Sequence, residues 1–143
     1  MDILNKRSME IASLAMDGLA IRHKAISSNI ANSESPDYRR VTVDFEGQLR
    51  RIIDTDNRHE QNMLENMDKE DATPYKAGKN DLNYRDFKPE IAMSEGASGV
   101  NNVNIETEMA DLAKTGIMYD ALATLQQKAF QGMKEVIERG GRG

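Results

Sequence analysis

Two histidines, scattered carboxylates and one run of amide side chains are the residues of this chain whose types could do chemistry. His23 stands between Arg22 and Lys24, and His59 stands in a polar stretch. Neither has a partner at the HxxxH or HxxE spacing that puts two ligands on one helix face, so each reads as an ordinary surface or interface histidine. The stretch "DTDNRHEQNMLE" offers Asp54, Asp56 and Glu65 in the manner of a calcium loop. The glycine that such a loop needs for its sharp turn is missing, and Arg58 would set a cation among the ligands. Asp68, Glu70 and Asp71 belong to a charge run that water solvates. With no cysteine there is no thiol nucleophile, thiolate metal site or disulfide framework. Glycine-rich phosphate loops and the GxSxG elbow are absent as well. The sequence therefore predicts no catalytic residue, no cofactor, no metal and no enzyme.

The amide run is more informative. In "SSNIANSESPDYRR", residues 27 to 40, a helix of apolar periodicity meets Asn29 and Asn32, three positions apart, and then Pro36. Asparagine tolerates the left-handed conformation that ends helices, and its side chain bonds to backbone groups. Ser35-Pro36-Asp37-Tyr38 reads as a turn, with proline fixing φ at the second position and aspartate suiting the third position of type I. Ser35, preceding proline, is pushed out of the helical region. The expectation is a defined exit from a long helix that delivers Tyr38 and Arg39 directly after it, with both asparagines satisfying backbone groups.

The elements that position this turn are two helical ends around a lean middle. Residues 8 to 31 are periodic, with Ser8 as the expected cap. One row is Ile11, Leu14, Gly18, Ile21, Ala25, and a second is Ala12, Met16, Leu19, Ile26, Ile30. In the C-terminal segment Asn104 is the expected N-cap, and Glu106 and Glu108 suit the positive end of the helix dipole. Met109, Leu112, Gly116, Tyr119, Ala123, Phe130, Met133 and Ile137 form one row there; Met118, Leu122, Leu125, Ala129 and Val136 form another. That helix should end near Arg139, before "GGRG". Phe45, Leu49 and Ile52 allow a short helix at most. Residues 54–99 thin out in apolar content and read as a flexible polar insert. Within it Leu82, Tyr84, Phe87 and Ile91 suit a short extended or docked piece, and Pro89 argues against a central strand. The fold class expected is mainly α: long terminal helices packed as an antiparallel coiled-coil-like pair, with 1–53 and 100–143 forming one structural unit. Leu14, Leu19 and Ile26 should face Leu122, Leu125 and Phe130, with Ile30, Met109, Leu112, Tyr119 and Met133 completing the helix interface.

Composition bounds the partners. The chain has 143 residues, 38% of them hydrophobic and 5% aromatic, no tryptophan and a net charge of −5. Its mean hydropathy is −0.67. That balance argues against nucleic acid. Glu10, Asp17 and Arg22 interrupt any apolar run near the N-terminus, so neither a Sec-type signal nor a bilayer span is expected. Two helices with two apolar stripes each have more apolar surface than a hairpin can bury, and the polar middle is too poor to cover the excess. Other copies of the chain are the expected cover.

The run "NIANSESPDYRR" resembles the pattern A-N-x-A-N-x-x-T-P-G-Y-[KR] near the N-terminus of bacterial flagellar rod and hook proteins. Asn29, Ala31, Asn32, Pro36, Tyr38 and Arg39 match it; Ser35 replaces threonine and Asp37 replaces glycine. The segment "NNVNIETEMADLAKTGIMYDALATLQQKAFQGMKEVI" is similar to the C-terminal helix of the same family, and "VDFEGQL" with "EMADLAKTGIMYDAL" is most similar to its proximal rod type. The likeness covers residues 9–53 and 100–141. It implies a structural subunit of the basal-body rod, carried out by the flagellar type III export apparatus without a cleaved signal. Such subunits polymerise helically through their terminal helices, transmit torque and wall the export channel. The partners implied are further copies, rod proteins of the FlgC and FlgF types, the FliE adaptor, the MS ring and the export gate, in a rod that crosses the periplasm. The alternatives are the sibling rod protein FlgC and a soluble helical adaptor or export chaperone that binds a partner helix.

Overall fold

The computed structural model describes residues 3–67, 75–78, 81–94 and 103–140. Its elements are α1 (Ile3–Ala31), β1 (Val41–Asp44), α2 (Glu46–Asn66), a single 3-10 turn at Tyr84–Asp86, β2 (Glu90–Met93) and α3 (Ile105–Gly140). The fold is mainly helical, with the two long terminal helices packed together, as their periodicity predicts. They run antiparallel: Asn29 at the end of α1 bonds Glu108 at the start of α3, and far along the pair Gln126 Nε2 donates to the Met9 carbonyl at 3.2 Å.

Several expectations are corrected. Ser8 does not cap α1, which already runs from Ile3. The short helix at Phe45–Ile52 is the first half of a 21-residue α2 that continues to Asn66, through polar residues expected to lie in a flexible insert. Polar groups dock that second half. Arg7 on α1 reaches Asp56 and Glu60, at 3.4 and 2.8 Å, and the Tyr84 hydroxyl donates to Asp56. Arg58 pairs with Asp81, which also accepts from the Tyr75 hydroxyl. The buried Thr55 hydroxyl oxygen accepts the Leu82 amide at 3.3 Å. The linker expected at "SEGASGVNN" falls almost wholly outside the described residues.

β1 and β2 form a two-stranded antiparallel sheet that pairs Val41 with Met93, Thr42 with Ala92, Val43 with Ile91 and Asp44 with Glu90. Pro89 stands just before β2, where no ladder bond is asked of it. Leu19, Val43 and Phe45 form the central cluster, with Ile21, Ala25, Leu49, Phe87 and Leu122 packed against it. Ile26 and Ile52 are the other buried apolar side chains among the described residues. Phe45 is held on three sides. The Arg22 guanidinium carbon lies 4.5 Å from its ring centroid, the Phe87 ring meets it edge-on at 6.4 Å, and Gly18 lies beneath it.

Five buried apolar side chains among the described residues make a small core for helices of 29 and 36 residues. Much of the remaining apolar surface stays in water. Met109, Ile117, Met118, Leu125, Phe130, Val136 and Ile137 are exposed on α3; Met63 and Leu64 on α2, with Met67 just past its end; Ile91 and Met93 on β2. No helix among the described residues is long and apolar enough to cross a membrane.

Candidate functional site

The amide-rich exit from α1 is built around Asn29, whose side chain is fully buried. Its Oδ1 accepts the Val41 amide at 2.8 Å and the Tyr38 hydroxyl at 3.1 Å. Its Nδ2 donates to the Val41 carbonyl at 2.8 Å and to Glu108 Oε2 at 2.9 Å. One side-chain amide thus bonds both backbone groups of Val41, as a neighbouring strand would, and all four of its bonding positions are used. A glycine could end the helix but could not do this.

Asn32 acts on the helix end itself. Its backbone amide and its Nδ2 both donate to the Ser28 carbonyl, at 3.1 and 2.8 Å. The turn follows, closed by the Tyr38 amide on the Ser35 carbonyl at 3.4 Å. Its type differs from the expected one. Asp37 has φ of 61°, and a positive φ at the third position with proline at the second is the type II pattern. The aspartate therefore takes the left-handed conformation that glycine adopts more readily. Pro36, Asp37 and Arg39 are exposed, while Tyr38 folds back so that its hydroxyl lies 3.1 Å from both Asn29 Oδ1 and Ser28 Oγ.

The opposite wall is Glu108, expected only to complement a helix dipole and found fully buried. Oε1 accepts Arg40 Nε at 2.5 Å, and Arg40 also reaches Asp111 at 3.5 Å. Asn104 is the N-cap: its Oδ1 accepts the Thr107 amide at 3.1 Å, and its carbonyl accepts the Glu108 amide at 3.0 Å. Arg40 and Glu108 were not among the expected site residues. The signal that could have found them is a carboxylate in the first turn of one terminal helix and an arginine just after the turn that ends the other.

None of this geometry positions a nucleophile or a general base against a cleft. The two histidines are apart from it: His23 is exposed on α1, and His59 lies against Tyr75 with ring centroids 4.1 Å apart and the planes tilted by 47°. What the arrangement does is tie the end of one terminal helix, the turn and the start of the other into one hydrogen-bonded unit.

No family model matches the chain. Whole proteins do. It is 26% identical over 136 residues to the flagellar basal body rod protein FlgB of Borreliella burgdorferi, covering 93% of this chain and 97% of that one. With FlgB of Borrelia hermsii the identity is 29% over 138 residues, 92% and 96% of the two chains. With FlgB of Bacillus subtilis it is 29% over 134 residues, 88% and 89%. Over nearly its whole length the chain is similar to flagellar basal-body rod proteins. The rod-family likeness is to FlgB over nearly the whole length, and it does not favour the FlgC or adaptor readings.

The residues expected at the helix interface are distributed as follows. Leu19 and Ile26 are buried; Leu14, Ile30, Leu112, Leu122 and Met133 are half-buried; Met109, Tyr119, Leu125 and Phe130 are exposed. Leu122 reaches the Leu19 cluster. Ile26 shares a cleft with Val41, Asp111, Thr115 and Met118. On the other side of the pair Ala12, Ala15, Leu122, Leu125 and Ala129 line an apolar groove.

Proposed function

We propose that this chain is a structural, non-catalytic subunit of the flagellar basal-body rod, of the proximal FlgB kind. The near full-length likeness to FlgB carries the reading. Residues 1–53 and 100–143 act as one unit whose exposed apolar stripes are buried by neighbours. Burial at roughly 25 cal/mol per Å² drives polymerisation, and a contact between unlike surfaces that does not close gives a helical tube. Long interlocked helices then supply the stiffness that torque demands, and the tube walls the export channel. The FlgC and FlgF type rod proteins, the FliE adaptor, the MS ring and the export gate are the neighbours in this reading. The subunit reaches its place across the periplasm through the flagellar export apparatus.

The test is to tag the chain and isolate basal bodies from its own cells. The rod reading expects the tag at the rod base; its absence from intact basal bodies overturns the reading. A Val136→Ser/Ile137→Ser variant probes the polymer contact separately. Both side chains are exposed, so the free chain should keep its stability within about 0.5 kcal/mol. Rods should nevertheless be lost and the cells non-motile. Normal rods from this variant would move the contact away from the end of α3.

A further inference from the structure

We propose that Glu108 is a positioning residue that fixes the register of α3 along α1, an inference independent of the rod reading. Along α3 the buried or half-buried Glu108, Leu112, Thr115, Leu122, Gln126, Ala129 and Met133 stand in one row with the exposed Tyr119. Those positions alternate four and three apart without a break, which is a heptad repeat. Opposite them α1 offers Ser8, Ala12, Ala15, Leu19, Arg22, Ile26 and Asn29, again four and three apart. A slip of seven residues, about 10 Å along the axis, returns an equivalent face to an equivalent face.

Apolar packing distinguishes these registers poorly. The described residues of α3 that are buried are Glu108 and Thr115, both polar, and the groove between the helices is lined largely by alanine and leucine. The Glu108 carboxylate is different. It meets the Arg40 guanidinium and the Asn29 amide in one arrangement only, with no exposed surface. Slipping α3 by one heptad brings Thr115 to that place. A hydroxyl carries no charge for Arg40 and cannot accept from both donors in the same geometry. The slipped register would leave the half-buried Arg40 without the carboxylate it meets and the buried Asn29 amide without one of its two acceptors, so it is disfavoured by lost polar contacts rather than by shape. A single buried polar residue that selects one register from several similar ones is a known device of paired helices.

The chain has no cysteine, so the register can be read by cysteine pairs. Ala12→Cys with Leu125→Cys reports the observed register, since both positions line the same groove. Ala12→Cys with Gly132→Cys reports the register one heptad on. Each pair is crosslinked with a short bis-maleimide in the purified full chain, with helix content followed by circular dichroism. In the otherwise unchanged chain the first pair should exceed the second by about tenfold or more. The variant Glu108→Leu/Arg40→Met removes both charges together, so neither is left buried without the other, and Asn29 keeps its bonds to Val41 and Tyr38. It should keep its helix content while the two crosslinks approach parity. A variant that keeps the tenfold preference overturns the proposal, because packing then sets the register. Loss of helix overturns it too, because the pair is then needed to fold rather than to select. Equal crosslinking before any change at Glu108 overturns it at the outset.

Discussion

Replacing Asn29 by leucine would strip two acceptor bonds and two donor bonds from one buried point. Val41 would lose partners for both its amide and its carbonyl, and Glu108 would lose one of its donors. At roughly 1 to 3 kcal/mol for each buried group left unpaired, the loss should reach about 3 kcal/mol or more. Asn32→Leu removes a side-chain bond to a Ser28 carbonyl that the backbone amide of the same residue also reaches, so about 1 kcal/mol is expected. Urea denaturation of the two variants measures the contrast. Equal losses would mean that the hub is no more than an ordinary helix end. The sequence shows these two asparagines as a pair. It cannot show that one is buried and the other half-exposed, because that depends on a strand twelve residues later and a helix beyond residue 100.

At the scale of elements, the close approach of α1 to Phe45 runs through Gly18, where a Cβ would meet the ring at 2.5 to 2.7 Å. The ring cannot retreat easily, with Arg22 on its face and Phe87 at its edge. Gly18→Ala should therefore destabilise the chain by about 1 to 3 kcal/mol, although alanine favours helix, and a lowered urea midpoint would report it. The same contact is sensitive to acid. Arg22 holds Glu46 by two bonds of 2.6 and 2.7 Å, and these bonds bring the Glu46 carboxyl down to about 2 from an ordinary 4.5. A group depressed in the folded state stabilises fully above its unfolded value, and that contribution is lost as pH falls from 4.5 toward 2. The side chain is about half exposed, so about 1 kcal/mol or less is at stake. The melting-temperature gap between wild type and Glu46→Gln should close across that window. A gap unchanged down to pH 2 would mean that the pair adds nothing. Helix periodicity made α1 and α3 legible in advance, because each repeats its apolar pattern over many turns. It hid the second half of α2, where the docking groups are Arg7, Asp56, Glu60, Arg58 and Asp81 rather than apolar side chains. It hid β1 too, since four residues paired with a strand some fifty positions away leave no local pattern.

On the scale of the whole molecule, the core is small, and much of the apolar surface is left on α3. That surface includes Met109 and Met118, with Met93 on β2, Met63 on α2 and Met67 at its C-cap, five of the nine methionines in the chain. In a protein without cysteine, these thioethers are its principal targets for mild oxidants. A brief peroxide pulse should convert Met109 and Met118 to sulfoxide in the free subunit and spare them in finished rods, as read by peptide mass spectrometry. Equal conversion in both would put the polymer contact elsewhere. A subunit oxidised before it is added would carry polar oxygens on the surface proposed to be buried by its neighbours. Oxidative stress would then halt growth of the structure while leaving what is already built intact.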